Sequence, residues 1–433
     1  MGISNLENKK SVKIAREIWA NPELSLKEYK AEAIYAKALA EAGFEVEEGV
    51  GGIPTAVSGS YGSGSPVIGV LAEYDALSGV GHGCGHNLLG AGSFEAACKI
   101  KDWLESSGKP GTVIFYGCPG EEGGASKAYF ARDGIWKELD AAITWHPDTR
   151  NKVVTGTCQS CIQVLYKFHG KPAHASGTPE MGRSALDAVE LMNTGVQYLR
   201  EHMPGDARIH YAITDAGGMS PNVVQPEAAV LYMTRSILGK DCQALQDRVD
   251  KIAEGAALMT ETTYDRIFVD ACANLVPNHT LEKMMQEALE STDKPVYSEA
   301  EYAQALEIAK TLDPDAEKGI DEKVYGLGEI VDPPFGSSDV GDVSWLTPTV
   351  QVHTACFAVG SPGHSEQNTA AAGSCFGEKG MLYAADVLTN AAKKLFSDPE
   401  LLAAAKKEHD ESVASKGGFV SLIPDDAVPY VIE

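Results

Sequence analysis

Three short apolar runs, separated by helical segments, constrain the fold of this chain most strongly. They span residues 67–72 (VIGVLA), 112–116 (TVIFY) and 141–145 (AAITW). Uniformly apolar runs of this length are typical of strands that are buried on both faces, as in a parallel sheet. The segments 12–19, 26–42 and 88–106 have helical spacing. The pattern therefore predicts an α/β fold with a mixed, mostly parallel sheet and helices on both faces.

The pattern changes near residue 160. Strand-like segments at 162–169, 208–214, 223–235 and 265–271 alternate with helical segments at 183–202 and 241–260. Their order, β-α-β-β-α-β, is that of a ferredoxin-like α+β unit. Because 433 residues are too many for one ordinary core, we predict two domains. Residues 1–160 and 275–433 would form a discontinuous core domain, and residues 161–274 an inserted α+β domain.

Composition argues against several classes of partner. Asp and Glu number 61 against 36 Lys and Arg, so the formal net charge is -25. This charge repels phosphate backbones and anionic bilayers, which argues against nucleic-acid and membrane binding. The N-terminal segment lacks the apolar region of a signal peptide, and nine cysteines are too few for a disulfide scaffold. We therefore expect a cytoplasmic protein whose partner is a small molecule.

Side chains that bind metals or transfer protons follow each of the three strand runs. Ligands of open α/β sheets bind beyond the carboxyl ends of the strands, so we expect these side chains to meet at one edge. Thiolates and imidazoles bind zinc, and carboxylates bind zinc or manganese. Two such ions can activate a shared water, while a neighbouring glutamate takes its proton. The residues are Asp75, Cys84, His86, Glu121, Glu122 and His146.

Each of these motifs also has a structural interpretation when it is taken alone. The Cys-Gly-His triplet could be structural, the Glu-Glu pair could be solvated surface, and the His-Pro pair could be a turn. Their shared position after buried strands, in glycine-rich loops, favours the metal site. Cys158 and Cys161 form a C-x-x-C motif, but no helix start follows them to lower a thiol pKa. We therefore expect packing cysteines there, with a thiol redox protein as the alternative.

Several longer motifs, spread over essentially the whole chain, resemble one enzyme family. They include NPELSLKE, EYDAL, GHGCGHNLLGAGS, GCPGEEGGASK, GKPAHAS and GHSEQNTA. The chain resembles the dinuclear-metal amidohydrolases and peptidases that include aminoacylase, hippurate hydrolase and auxin-conjugate hydrolases. Within them it is most similar to the p-aminobenzoyl-glutamate hydrolase branch.

The resemblance implies two divalent metal ions per chain, zinc or manganese. Glu121 would act as the general base and then as the acid, and Asp75 would orient a metal-bound imidazole. Many relatives carry Asp or His where this chain has Glu73, so we expect Glu73 not to bind metal. The implied ligands are Cys84, in the bridging position, with His86, Glu122, His146 and His364.

The inserted domain would supply further site residues. In related enzymes this domain forms a dimer and lends residues to an active site, often that of the partner. The resemblance implies that His174 and Asn222 stabilise an oxyanion and that Arg235 pairs with a substrate carboxylate. The structural alternative for Arg235 is an exposed strand residue. We expect a homodimer through this domain, or a related second subunit. Asp339 and Asp342 belong to a loop that resembles the family, but the sequence gives them no role.

The prediction for function is metal-dependent hydrolysis of the amide bond of an N-acyl amino acid, such as p-aminobenzoyl-glutamate, by a water activated between two divalent metals. The alternatives are a dipeptidase that acts on small unusual dipeptides and a non-catalytic metal-binding subunit.

Overall fold

The computed structural model describes residues 6–330 and 333–431. Its strands are β1 (Glu45–Glu48), β2 (Val57–Ser63), β3 (Val67–Ala72), β4 (Gly111–Gly117), β5 (Ala141–Asp148), β6 (Lys152–Val153), β7 (Ser160–His169), β8 (Arg208–Asp215), β9 (Glu227–Ser236), β10 (Thr263–Cys272) and β11 (Thr349–Ala355). Its α-helices are α1 (Lys10–Ala20), α2 (Tyr29–Glu41), α3 (His86–Ser107), α4 (Ser126–Arg132), α5 (Ala185–Leu199), α6 (Gly239–Thr260), α7 (His279–Ser291), α8 (Glu299–Lys310), α9 (Val340–Leu346), α10 (Glu366–Ala372), α11 (Cys375–Ser397) and α12 (Pro399–Ser415).

The larger sheet has the strand order β1-β2-β4-β3-β5-β11-β6. Its four inner strands, β4, β3, β5 and β11, run parallel to one another. Strands β1, β2 and β6 extend the sheet with antiparallel pairing. The three apolar runs are the adjacent strands β4, β3 and β5, which confirms the predicted mixed, mostly parallel sheet. Their carboxyl ends lie at one edge because the strands are parallel.

Helix α3 packs very closely on this sheet. Trp145 of β5 donates its indole N–H to the carbonyl of Leu89 at 3.0 Å, and Ser93 donates to the carbonyl of Leu71 at 2.6 Å. A Cβ atom at Gly90 would lie 2.6 Å from the carbonyl oxygen of Glu73, so only glycine allows this approach. This close packing of α3 matters for the site because the first residue of the helix, His86, is one of the predicted metal ligands.

The smaller sheet has the order β10-β7-β9-β8, with every neighbouring pair antiparallel. With α5 and α6 it forms the sequence β-α-β-β-α-β, so the predicted ferredoxin-like unit is confirmed. Strand β9 begins at Glu227, later than expected. The residue before it is Pro226, which has no N–H to donate to a neighbouring strand.

The chain divides into two compact units. One comprises residues 6–156, 276–330, 333 and 342–419, and contains the larger sheet. The other comprises residues 157–275, 334–341 and 420–431, and contains the smaller sheet. Across the described ranges, no helix combines the length and the apolar character that crossing a bilayer requires.

Candidate metal centre

Cys84 and His86 lie at the amino end of α3, separated by a glycine that the backbone requires. Gly85 has a φ of 78°, in the left-handed region, and precedes the first helical residue. A Cβ atom there would lie 2.8 Å from the ring of Phe357 and 3.0 Å from Pro147. Both the backbone conformation and the packing therefore exclude a side chain at this position. Gly85 is what allows the two flanking side chains to point into one cluster.

The predicted metal ligands form two groups that share one cysteine. The potential ligand atoms of Cys84, His86 and His146 all lie within 4.8 Å of one another, and so do those of Cys84, Glu122 and His364. Within these groups, Cys84 Sγ lies 3.5 Å from His146 Nε2, and His364 Nε2 lies 3.3 Å from Glu122 Oε1. The two groups have the composition of two adjacent metal sites with a bridging thiolate.

The ring orientations of two histidines leave their Nε2 atoms for this cluster. His86 donates from Nδ1 to Asp75 Oδ1 at 2.8 Å, and His146 donates from Nδ1 to the carbonyl of Pro147 at 2.8 Å. Within the described part of the chain, buried His86 Nε2 and Glu122 Oε1 make no hydrogen bond of good geometry, although Glu73 Oε2 and His364 Nε2, respectively, lie 3.3 Å from them. A buried polar atom without a partner is costly. A divalent cation would satisfy both atoms, so the residues present fit two metal ions.

Asp75 is buried beneath the cluster and stays ionised. Its Oδ2 accepts hydrogen bonds from Ser25 Oγ at 2.8 Å and from the backbone N–H of Glu122 at 2.9 Å. Burial opposes ionisation, but the positive charge of His86 and these hydrogen bonds outweigh it and lower the pKa of Asp75 to about 2. Burial also opposes protonation of His86, but the surrounding anionic groups raise its pKa above the ordinary value. The same negative field would favour a metal cation.

Glu73 lies beside the predicted ligands and is paired with a buried lysine. Its Oε1 is 2.7 Å from Lys127 Nζ, and both side chains are buried. Its other oxygen is 3.3 Å from His86 Nε2. The potential ligand atoms of Glu73, His86 and Glu121 form a third group within 4.8 Å. One carboxylate oxygen of Glu73 thus forms an ion pair with Lys127.

Sequence reasoning gave no role to several residues that support the centre. Glu28, in the NPELSLKE motif, accepts hydrogen bonds from the backbone N–H groups of Leu26 and Gly120. It thereby ties the amino-terminal loop to the segment before Glu121. Burial, together with the negative charge of Asp75, raises the pKa of Glu28 to about 8. The NPELSLKE motif drew attention to this segment, but the hydrogen-bond partner of Glu28, Gly120, lies 92 residues away in the sequence.

His353 of β11 was also missed. Its ring lies 5.8 Å from the ring of His146, and its Nδ1 lies 2.7 Å from Asp148 Oδ2. Sequence alone gave no signal for it, because a single histidine at the end of a strand has no distinctive spacing.

We expect Asp75→Asn to weaken metal binding about 10- to 100-fold, because loss of a carboxylate behind a ligating imidazole has effects of that size. The amide keeps the shape of the side chain but removes the charge that faces His86. Competition with a chromophoric chelator would measure the dissociation constants. Asp102→Asn is the matched control, since Asp102 is exposed on α3. Equal affinities in the two variants would contradict the orienting role of Asp75.

We expect Lys127→Met to reduce the free energy of unfolding by about 3–5 kcal/mol, because it removes the lysine that pairs with the buried charge of Glu73. Chemical denaturation of the metal-free protein would measure the loss. Lys394→Met is the control, because it breaks the exposed ion pair with Glu287 and should cost at most about 1 kcal/mol. Adding Glu73→Gln to Lys127→Met should restore part of the stability. Similar losses in both single variants would contradict the prediction.

The structure brings His174 and Asn222 together in the second unit. Ala175 donates its backbone N–H to the carbonyl of Asn222 at 2.9 Å, and His174 forms a β-bridge with Val223. His174 Nδ1 accepts the N–H groups of residues 176 and 177, at 3.2 and 3.0 Å. The proton of a neutral imidazole must then lie on Nε2. The exposed ring therefore presents a donor, as the predicted oxyanion role requires.

Arg235 lies near the far end of β9 from this pair. It is half-buried, and its Nη1 donates to Ser337 Oγ at 2.6 Å. From Glu227 to Arg235 the strand advances about 26 Å, at roughly 3.3 Å per residue. The side chain of Arg235 is thus partly covered rather than fully exposed on the strand. Within one chain, Arg235 is far from Asn222.

The two aspartates to which the sequence gave no role, Asp339 and Asp342, are both buried.

Comparison with known proteins identifies the family. A family model described as a peptidase dimerisation domain, M20_dimer, matches residues 160–260. A p-aminobenzoyl-glutamate hydrolase subunit of Escherichia coli (strain K12) is 42% identical over an alignment that covers 96% of this chain and 95% of that protein. The Xaa-Arg dipeptidase of Mus musculus is 29% identical, over 91% of this chain and 88% of that protein.

Solved structures share the fold. An aminobenzoyl-glutamate utilization protein from Klebsiella pneumoniae superposes with a TM-score of 0.63 at 17% identity, covering 89% of this chain and 97% of that one. A dinuclear metal binding peptidase of the M20 family from Bacillus subtilis superposes with a TM-score of 0.58 at 17% identity, covering 91% and 99%. Together with the 42% identity over nearly the full length, these matches show that the chain is a hydrolase that belongs to the M20 peptidase family.

Proposed function

We propose that this enzyme hydrolyses the amide bond of an N-acyl amino acid, with p-aminobenzoyl-glutamate as the leading candidate substrate. The observation that carries the proposal is the pair of ligand groups joined at Cys84, beside a second glutamate, Glu121, whose carboxylate oxygen lies within 4.8 Å of the ligand atom of His86. The choice of substrate is supported by the 42% identity to the p-aminobenzoyl-glutamate hydrolase of Escherichia coli.

Two divalent ions, zinc or manganese, would be held by the two groups. Cys84, His86 and His146 would bind one ion, and Cys84, Glu122 and His364 the other. When bound, such ions lower the pKa of a water molecule and polarise an amide carbonyl. The borderline donor set of thiolate, imidazole and carboxylate suits zinc and tolerates manganese.

Glu121 would transfer the proton. It directly precedes the ligand Glu122, and its carboxylate lies within 4.8 Å of the ligand atom of His86. From there it would accept a proton from the attacking water and return it to the leaving nitrogen as the C–N bond breaks. Asp75 would hold His86 in the tautomer that directs Nε2 to the metal.

The second unit would complete the site. His174 and Asn222 would stabilise the oxyanion, and Arg235 would form a bidentate pair with the substrate carboxylate. Because these residues lie near opposite ends of β9, one small substrate would need His174 and Asn222 from one copy and Arg235 from another. The match of residues 160–260 to a dimerisation domain supports a homodimer, with a related second subunit as the alternative.

The test combines metal content with turnover. After anaerobic purification, elemental analysis should find about two divalent ions per chain. The loaded enzyme should cleave p-aminobenzoyl-glutamate within a panel of N-acyl amino acids. Absence of bound metal, together with no metal-restored cleavage of any panel member, would overturn the mechanism and favour a non-catalytic metal-binding subunit.

A dipeptidase is the second candidate, favoured by the 29% identity to Xaa-Arg dipeptidase over 91% of the chain. The same panel distinguishes the two candidates when it includes Xaa-Arg and other unusual dipeptides. A higher kcat/KM for a dipeptide than for every acyl amino acid would establish this alternative.

A further inference from the structure

Two cysteines from distant parts of the sequence meet in the smaller sheet. Cys161 lies near the start of β7 and Cys272 at the end of β10, and the antiparallel register places them directly opposite each other. Their Sγ atoms are 3.1 Å apart. Directly opposed residues on antiparallel strands have Cα atoms about 4.5–5.5 Å apart, a separation that a disulfide spans. The two strands could therefore be cross-linked without moving the backbone.

The surroundings of Cys161 favour its thiolate, the form that reacts with oxidants. On the other side of β7, the register places Cys161 opposite Arg235. The pKa of Cys161 is lowered to about 7, because the hydrogen bond with Cys272 and the positive charge of Arg235 outweigh the effect of burial. Two carboxyl groups, those of Asp270 and Asp339, also lie in this cluster. Burial and the negative charge of Cys161 raise the pKa of Asp270 to about 8. At neutral pH this carboxyl group is therefore mostly protonated, and it repels the Cys161 thiolate less than a carboxylate would.

Access to the pair is narrow. Cys161 is 6% exposed and Cys272 is 5% exposed, so a thiol or disulfide carried by another protein cannot reach either sulfur, and only a small molecule can. A peroxide is small enough to do so. Regulatory disulfides of this kind also form in reducing compartments, where structural disulfides are rare.

We propose that Cys161 and Cys272 are a peroxide-sensitive dithiol that closes to a reversible disulfide. The Cys161 thiolate attacks one peroxide oxygen, the O–O bond breaks, and the departing hydroxide takes a proton to become water. The sulfur of Cys272 then attacks the sulfenic acid at Cys161, the S–O bond breaks, and the second hydroxide leaves as water with the Cys272 proton. Two thiols are oxidised to one disulfide, one peroxide is reduced to two waters, and a dithiol reductant reverses the change.

The test maps the bond in the full-length protein. Protein treated with hydrogen peroxide is blocked with an alkylating agent, digested and examined by mass spectrometry, with and without prior reduction. We expect a peptide pair cross-linked through Cys161 and Cys272, lighter than the two thiols by two hydrogens and absent after reduction by dithiothreitol. The cross-link should persist in Cys158→Ser and disappear in Cys272→Ala.

Two outcomes would overturn the proposal. The first is a cross-link between Cys158 and Cys161, which would make the C-x-x-C motif the redox pair. The second is recovery of Cys161 and Cys272 as separate alkylated thiols under conditions that oxidise the half-buried cysteines of the same sample. The wild-type map decides both outcomes, so the result does not depend on the folding of a variant. It also does not depend on the proposed hydrolase activity.

Discussion

Glu121→Gln is expected to lower kcat by about 10²- to 10⁴-fold, the range that a positioned general base contributes, while both metal ions remain bound. Glutamine keeps the size of the side chain and its hydrogen-bonding oxygen but cannot take up a proton at neutral pH. The substrate would therefore bind normally, and proton transfer from the attacking water would fail.

Measurement of kcat together with metal content separates the roles of the two adjacent glutamates. Glu122→Gln should lose metal, because Glu122 is assigned as a ligand, and Glu121→Gln should not. Glu317→Gln is the surface control, since Glu317 is exposed. If turnover survived Glu121→Gln, the general base would be another residue. If Glu121→Gln lost metal instead, Glu121 would be a ligand, as its place in a third candidate group allows.

Cys84→Ala is expected to abolish turnover and to release both ions rather than one. Cys84 is the residue common to the two ligand groups, so its removal takes one donor from each site. A thiolate between two cations also reduces their mutual repulsion, so the second ion should bind less tightly once the bridge is lost. Burial, together with the negative charges of Glu122 and Glu121, raises the pKa of the Cys84 thiol despite the opposing effect of His86, so a cation would be needed to hold it as a thiolate.

Elemental analysis of the variant after dialysis against a weak chelator would test this expectation. Cys98→Ala is the matched control, because Cys98 is a half-buried cysteine in the same helix, α3. One ion retained at full occupancy in Cys84→Ala would mean that the cysteine belongs to a single site. Retention of both ions would remove Cys84 from the ligand set.

The sequence predicted the core strands well because a buried parallel strand is apolar along its whole length. The first apolar run, residues 67–72, coincides with β3. The start of α2 was predicted less accurately, at residue 26 instead of Tyr29. Leu26 has a φ of 63° and cannot be helical, and its N–H donates to the carboxyl oxygen Oε1 of Glu28. A local side-chain contact of this kind competes with the helix, and hydrophobic spacing does not detect it.

The sequence by itself determined the fold class and the types of side chain that lie at the candidate metal centre. Parallel strands place their carboxyl ends at one edge, so residues that follow three strands had to meet there. Only the tertiary structure decided which side chains support them. Glu28 and Lys127 stand in motifs, and His353 in none, but no local pattern shows which groups these three side chains contact. Their partners lie on other elements of the fold.

The same division holds for the cysteines. The sequence placed Cys161 in a C-x-x-C motif with Cys158, but the register of β7 and β10 sets it against Cys272, 111 residues away. The spacing of residue types along one segment indicates its periodicity and which of its residues are buried. This spacing does not predict the register between two strands, because register depends on which faces of the sheet are packed in the core. The sequence thus determined the elements and the chemistry at their ends, and packing decided the pairs.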